Sequence, residues 1–232
     1  MRFVLLMLLL FAGVAHAQDY AREERWRAEV LANLVVGDAL RIASPSGHAF
    51  LGIYKDGKPD KPAVLLVHGL GVHPDHGVIG ILRVALSDMG YATLSIQMPV
   101  LASDAPAEDY YPALFPDASQ RIAAAAEWLK RSGARRIVLV SHGLGAWMSQ
   151  HYLEQTRSPP FAGWVAMGRS GPIPALPLPV LDVHGEKDNL AVLESAPGRK
   201  AAKQVMIRGA DHFYIGREEE LARVLREFID RL

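Results

Sequence analysis

Two hydrophobic patterns divide the chain. Residues 39–43 and 49–54 are short apolar-rich segments separated by the turn-forming Pro45-Ser46-Gly47, and this pattern predicts an antiparallel hairpin. Later in the chain the apolar residues come in continuous runs, which are typical of strands buried on both faces of a parallel sheet. These runs are residues 63–67, 92–96, 137–140, 163–167 and 180–183, with a shorter one at 204–207.

Helical patterns lie between the runs. Asp117 followed by Gln120 indicates a capping-box start, and Gly133 ends that helix. Residues 218–220, all glutamate, open a C-terminal helix, whereas residues 20–27 are interpreted as a polar lead-in. Both helices carry an apolar stripe, formed by Ile122, Ala125, Ala126 and Leu129 in the first and by Leu221, Val224, Leu225, Phe228 and Leu232 in the second.

This alternation of strand and helix predicts an α/β fold with a doubly wound, mostly parallel sheet and antiparallel N-terminal strands. In such sheets the functional site lies at the carboxyl ends of the strands. The proline-rich stretch at residues 170–179 is too short and too stiff to form a large lid.

The N-terminus predicts export. One positive charge, Arg2, precedes a short apolar run that ends in Ala15-His16-Ala17, and the polar Gln18-Asp19 follows. We therefore expect a signal peptide at residues 1–17, cleaved near Ala17. The run is shorter than the roughly 20 apolar residues that span a bilayer, so we expect no stable membrane anchor. Residues 18–232 are predicted to form one domain in the periplasm or outside the cell.

Composition narrows the chemistry. The 25 basic and 25 acidic residues balance, and no basic cluster indicates a nucleic-acid partner. The chain has no cysteine, which excludes disulfides, cysteine-based metal sites and a cysteine nucleophile. We expect no cofactor, and a small-molecule ligand or an unknown protein as the partner.

One segment carries the strongest motif. The run Val138-Leu139-Val140 leads into Ser141-His142-Gly143-Leu144-Gly145 and then into a predicted helix at residues 146–154. This arrangement of strand, small-residue turn and helix resembles the nucleophile elbow of the α/β-hydrolase superfamily. The resemblance extends over residues 60–232 through three further segments, which are similar to the oxyanion loop (residues 68–71), the acid loop (residues 184–188) and the histidine loop (residues 209–213). Residues 68–75 and 94–99 also resemble a poorly characterised group of exported α/β-hydrolase-like proteins.

The resemblance assigns roles to individual positions. It implies that Asp188 is the acid, that His212 is the base, and that the backbone amides of Leu70 and Leu144 bind an oxyanion. The nucleophile position is Gly143, which has no side chain, so covalent catalysis of the usual kind is lost. Glycine also adopts the backbone angles of the elbow tip without strain.

These assignments favour a pseudo-hydrolase, which binds a small ligand or a partner and does not cleave it. The alternative is a hydrolase of an ester, thioester or amide that uses Ser141, Ser170 or a water molecule activated by His212 and Asp188. A third interpretation makes the Asp188–His212 pair a purely structural hydrogen bond.

A cluster of possible metal ligands needs separate mention. Residues His68, His73, Asp75 and His76 offer the imidazole and carboxylate groups that suit zinc. Their spacing matches no metal motif on a helix or hairpin, and His68 belongs to the oxyanion pattern. We therefore predict no metal site there and leave the role of the cluster open.

Overall fold

The computed structural model describes residues 18–199 and 202–232. The predicted signal peptide at residues 1–17 lies outside the described residues. Among the residues that are described, no helix has the length and apolar character needed to cross a membrane.

A single mixed sheet organises the described chain. Its strands are β1 (Asp38–Ala43), β2 (Ala49–Lys55), β3 (Ala63–Val67), β4 (Ala92–Ile96), β5 (Ile137–His142), β6 (Gly163–Met167), β7 (Val180–Lys187) and β8 (Lys203–Asp211). They lie in the order β1-β2-β4-β3-β5-β6-β7-β8. The pairs β1–β2 and β2–β4 are antiparallel. The other six strands, β3 to β8 in chain order, run parallel to one another. The predicted fold class is confirmed.

Helices cover both faces of the sheet. They are α1 (Tyr20–Asn33), α2 (Gly77–Asp88), α3 (Phe115–Arg131), α4 (Leu144–Gln155), α5 (Leu190–Ser195) and α6 (Glu218–Ile229). The apolar faces of α3 and α4 share one core cluster with the sheet, whereas α2 and α6 bury their apolar residues in a second cluster on the opposite face. Residues 168–179, between β6 and β7, contain neither helix nor strand, as expected without a large lid.

The polar lead-in at residues 20–27 belongs to helix α1, whose first turn is capped by the Asp19 carboxylate, which accepts a hydrogen bond from the Arg22 amide at 2.8 Å. One local prediction was wrong. Helix α3 begins at Phe115, before the predicted capping box, and Leu114 caps it without a side-chain hydrogen bond. Asp117 lies inside the helix and pairs with Arg121 one turn later, at 2.7 Å.

Candidate functional site

The elbow lies at the carboxyl end of β5, where Gly143 joins the strand to α4. Gly143 has φ 53° and ψ −120°, a conformation that side-chain-bearing residues rarely adopt. Gly145 is required for a different reason, because a Cβ atom there would lie 2.2 Å from the carbonyl oxygen of His68. The small residues of the motif thus let helix α4 begin directly against the chain that leaves β3.

Asp188 and His212, which follow the neighbouring strands β7 and β8, meet beside the elbow. The His212 Nδ1–H group donates to Asp188 Oδ1 at 2.7 Å, and the carboxylate also accepts from the backbone amides of Gly185 (3.2 Å) and Asn189 (2.8 Å). Burial alone would raise the pKa of Asp188, but the hydrogen bond and the charge of His212 outweigh it, so the pKa falls below its ordinary value. The Asp188 carboxylate therefore stays ionised and fixes the imidazole orientation.

The free edge of the His212 ring faces the elbow. A Cβ atom built on Gly143 would lie 3.5 Å from His212 Nε2, and that is the nearest atom it would meet. A side-chain hydroxyl at position 143 would reach hydrogen-bonding distance of this nitrogen. His212 Nε2 therefore faces a position that carries no side chain.

The predicted oxyanion donors border the same space. Leu144 is the first residue of α4, so its amide is one of those that a helix leaves without an intrahelical acceptor. Leu70 follows β3 in the loop that reaches Gly71, and both leucines line the cavity described below. The sequence reasoning missed Arg22, whose Nη2 donates to the Gly71 carbonyl at 3.0 Å and ties α1 to this loop.

His142, at the end of β5, hydrogen-bonds to the backbone of the loop that carries His212. Its Nε2–H group donates to the His212 carbonyl oxygen at 2.9 Å, and the two imidazole rings lie 4.7 Å apart, centroid to centroid. Burial, followed by the charge of His212, lowers the pKa of His142 to about 4. His142 is therefore a neutral donor that holds its neighbour in place.

A cavity of about 410 Å³ opens above the elbow. Most of its wall is apolar. The lining residues include Leu70, Val72, Val78, Ile79, Tyr111, Leu144, Trp147, Val192 and Phe213, and the polar ones include His76, Ser170, Asn189 and His212. Among these lining residues there is no Asp, Glu, Lys or Arg. Tyr111 belongs to a loop that ends at α3, so part of the entrance lies on the connection between β4 and α3.

The two alternative nucleophiles lie in different places. Ser141 is fully buried, and its Oγ accepts a hydrogen bond from Trp164 Nε1 at 2.7 Å. It does not border the cavity. Ser170 lines the cavity in the loop after β6, but the imidazole that Asp188 orients, that of His212, directs its free nitrogen toward Gly143.

The four possible metal ligands do not converge. The buried His68 ring donates through Nδ1 to the Gly69 carbonyl and accepts at Nε2 from the Met98 amide, both at 2.9 Å. Asp75 pairs with Arg83 at 2.6 Å, and the His73 ring contacts that of Trp26. Within residues 18–199 and 202–232, no group of three or more His, Cys, Asp or Glu side chains is placed to hold a metal ion.

The sheet order, the elbow and the neighbouring acid–histidine pair define a member of the α/β-hydrolase superfamily. The chain belongs to the family described as "Protein of unknown function (DUF3530)", which matches residues 2–118. The matched region contains residues 68–71 and ends before the elbow. Comparison with curated proteins gave no match.

Solved structures share the fold at low sequence identity. Est1E from Butyrivibrio proteoclasticus is 17% identical, with a TM-score of 0.65 over 83% of this chain and 98% of its own. A serine hydrolase without a lid from Xanthomonas campestris is 15% identical, with a TM-score of 0.64 over 85% of this chain and 95% of its own. Dienelactone hydrolase from Anabaena variabilis is 18% identical, with a TM-score of 0.64 over 82% and 95%. These similarities concern the fold.

Proposed function

We propose that this protein binds a small, largely apolar ligand in the cavity above the elbow and does not act as a serine hydrolase. The observation that carries the proposal is the empty nucleophile position. His212 Nε2 faces Gly143, so the base is oriented toward a residue that has no group to activate. The apolar wall of the cavity supplies the area that favours binding.

The positions of the two serines support this proposal. Ser141 has its hydroxyl engaged by Trp164 in the interior, so attack on a ligand in the cavity would require the elbow to unfold. Ser170 borders the cavity but is not paired with an oriented base among the described residues. The retained Asp188–His212 hydrogen bond favours one catalytic alternative, hydrolysis by a water molecule that His212 activates.

The solved relatives offer a comparison for the ligand. Est1E has been observed with ferulic acid bound, in a second structure that aligns with this chain at 18% identity. The cavity here has aromatic walls at Tyr111, Trp147 and Phe213, which would accommodate a flat apolar group. We further propose that the protein acts after export. Mass spectrometry of the protein secreted or recovered from the periplasm would then give an N-terminus at Gln18.

The test compares wild type with Gly143→Ser and with the double variant Gly143→Ser/His212→Ala, using short-chain p-nitrophenyl esters and a fluorophosphonate label. Wild type should show no hydrolysis above the buffer rate and no labelling. Gly143→Ser should gain both, because its hydroxyl would reach His212 Nε2, and the double variant should lose the gain. Turnover by wild type that disappears in His212→Ala would establish the water-based alternative and refute the binding proposal.

Direct evidence for binding would come from the purified wild-type protein. Native mass spectrometry, followed by denaturation and identification of released molecules, should detect a small molecule that is absent from a variant with a filled cavity. Val192→Trp is suitable, because Val192 lines the cavity on α5 and lies outside the elbow and the His212 loop. Equal retention by both proteins would place the ligand elsewhere.

A further inference from the structure

Two imidazoles that border the cavity have tautomers fixed by their hydrogen bonds. His142 Nε2 lies 2.9 Å from the His212 carbonyl oxygen, which can only accept, so the proton of the neutral His142 ring is on Nε2. His212 Nδ1 lies 2.7 Å from Asp188 Oδ1, and the ionised Asp188 carboxylate can also only accept. In the neutral His212 ring the proton is therefore on Nδ1, and Nε2 is a hydrogen-bond acceptor.

The His212 Nε2 acceptor faces an open space. Apart from the residues next to Gly143 in the chain, the described atoms within 4 Å of a Cβ atom at this position would be Nε2 and Cε1 of His212, at 3.5 and 4.0 Å. Gly143 and His212 both line the cavity, so a bound molecule can reach this space. A ligand group that lies there meets an acceptor, and it is stabilised if it can donate a hydrogen bond.

The wall of the cavity favours a neutral molecule. None of its lining residues is Asp, Glu, Lys or Arg. Two of its imidazoles are uncharged at neutral pH, because burial lowers the pKa of His68 to about 3 and that of His142 to about 4. A charged ligand would lose its hydration in this mostly apolar space. A hydroxyl group is the smallest neutral donor, so it suits the space left by one missing side chain.

We propose that the ligand is a neutral aromatic compound with a free hydroxyl group, and that this hydroxyl lies beside Gly143 and donates to His212 Nε2. Its oxygen takes a position about 2.8 Å from this nitrogen, where the hydroxyl of a serine at position 143 would otherwise lie. The ring of the ligand lies against the aromatic wall that includes Tyr111 and Trp147. This inference rests on the proposed function, because a serine nucleophile would itself occupy the position of the ligand hydroxyl.

The test compares pairs of compounds in which a methyl group replaces the hydroxyl. The pairs are 4-ethylphenol with 4-ethyltoluene and 2-phenylethanol with propylbenzene, so the two members of each pair are close in size. Binding to the wild-type protein is measured by ligand-observed NMR titration at pH 8, where an ordinary imidazole is neutral. Each hydroxyl compound should bind at least tenfold more tightly than its match, because the methyl compound leaves His212 Nε2 without a partner.

Three variants locate the ligand hydroxyl. His212→Phe removes the acceptor, and Gly143→Ala places a methyl group in the open space, so each should reduce the preference for hydroxyl compounds to less than about twofold. Ser170→Ala removes a serine hydroxyl elsewhere in the cavity wall and should keep the preference. A preference that survives in Gly143→Ala and disappears in Ser170→Ala would place the ligand hydroxyl at Ser170 and overturn the proposal.

A spectroscopic measurement on the wild-type protein tests the proposal even if His212→Phe fails to fold. Proton–nitrogen NMR spectra of protein with isotope-labelled histidine report which ring nitrogen carries a proton. At pH 8 they should show a proton on Nδ1 of His212 and none on Nε2. The Nε2 resonance should shift upfield when 4-ethylphenol is added and stay in place with 4-ethyltoluene. A doubly protonated ring at this pH, or equal shifts with both compounds, would overturn the proposal.

The outcomes separate this inference from the proposed function. Methyl compounds that bind as tightly as their hydroxyl matches would overturn the hydroxyl assignment and leave a binding protein. No binding of either hydroxyl compound up to its solubility would also overturn the assignment, without affecting the esterase test. Hydrolysis of esters by wild type would instead overturn the proposed function itself.

Discussion

Mild acid should destabilise this protein because two histidines are buried in the neutral form. His68 accepts a hydrogen bond from the Met98 amide and is 1% exposed, and His142 holds the His212 loop and is 5% exposed. Burial lowers the pKa of His68 to about 3 and that of His142 to about 4. In the unfolded chain both imidazoles take up a proton below their ordinary pKa of about 6.5.

The direction and size of the effect follow from this difference. Between pH 7 and pH 5 the unfolded state gains protons at both positions while the folded state gains almost none, so stability falls with pH. Each histidine contributes a loss of about 2 kcal/mol over this interval, or about 4 kcal/mol together. The loss continues as the pH falls toward the folded-state pKa values and then levels off. The lowered pKa values of His73 and His184 act in the same direction.

Urea denaturation at pH 7 and at pH 5 measures this loss directly. His142→Phe removes one titrating group and should reduce the pH-dependent loss by about 2 kcal/mol, whatever its effect at pH 7. His151→Gln is the matched control, since His151 is not among the buried residues of helix α4 and its ring hydrogen-bonds to the Gln155 side chain. A stability that is equal at pH 7 and pH 5, or an equal loss in His142→Phe and wild type, would refute the argument.

Three further predictions concern polar contacts of single side chains. Arg121 is fully buried and pairs with Glu23 at 3.0 Å, so Arg121→Met should lower the free energy of unfolding by about 3–5 kcal/mol, compared with under about 1 kcal/mol for Lys130→Met at the exposed Lys130–Glu127 pair. Ser141→Ala should cost about 1–3 kcal/mol in urea denaturation, because it leaves the Trp164 indole N–H buried without an acceptor, and it should not change the esterase activity gained by Gly143→Ser. Arg22→Met should release the Gly71 carbonyl and accelerate amide hydrogen exchange at Leu70 and Gly71, while exchange in β5 stays slow; unchanged exchange at these two amides would contradict the role given to Arg22.

The sheet was predictable because its strands carry a strong local signal. Strands β3, β5 and β6 are buried along their whole length, and each contains an uninterrupted apolar run, with the polar Ser141 and His142 coming only at the end of β5. Helix α1 gives a weak signal instead. Its buried positions are Glu23 and Val30. Because glutamate is usually exposed, a hydrophobic pattern predicts that Glu23 is exposed. Glu23 is buried because its partner, Arg121, comes from a helix far along the chain.

The candidate site divides in the same way. The motifs predicted which residues lie at the strand ends. In the structure, His212 Nδ1 lies 2.7 Å from Asp188 Oδ1. Arg22 could not be found from the sequence, because its role depends on a contact with Gly71 that no spacing rule encodes. The same holds for Ser141, since only the tertiary contact with Trp164 shows that its hydroxyl is already engaged.

Gly143 affects stability and binding in opposite ways. With φ at 53°, any side chain at this position would strain the backbone by roughly 1–3 kcal/mol, so glycine relaxes the elbow. The lack of a side chain at position 143 also leaves a mostly apolar cavity open, and Leu70 (41% exposed) and Phe213 (57% exposed) lie at this cavity. A ligand that covers this surface returns stability to the folded state, by about 2.7 kcal/mol at a concentration one hundred times its Kd. Thermal shift is therefore a sensitive assay for this site. A shift that wild type shows and Gly143→Ala loses would identify the glycine itself as part of the binding site.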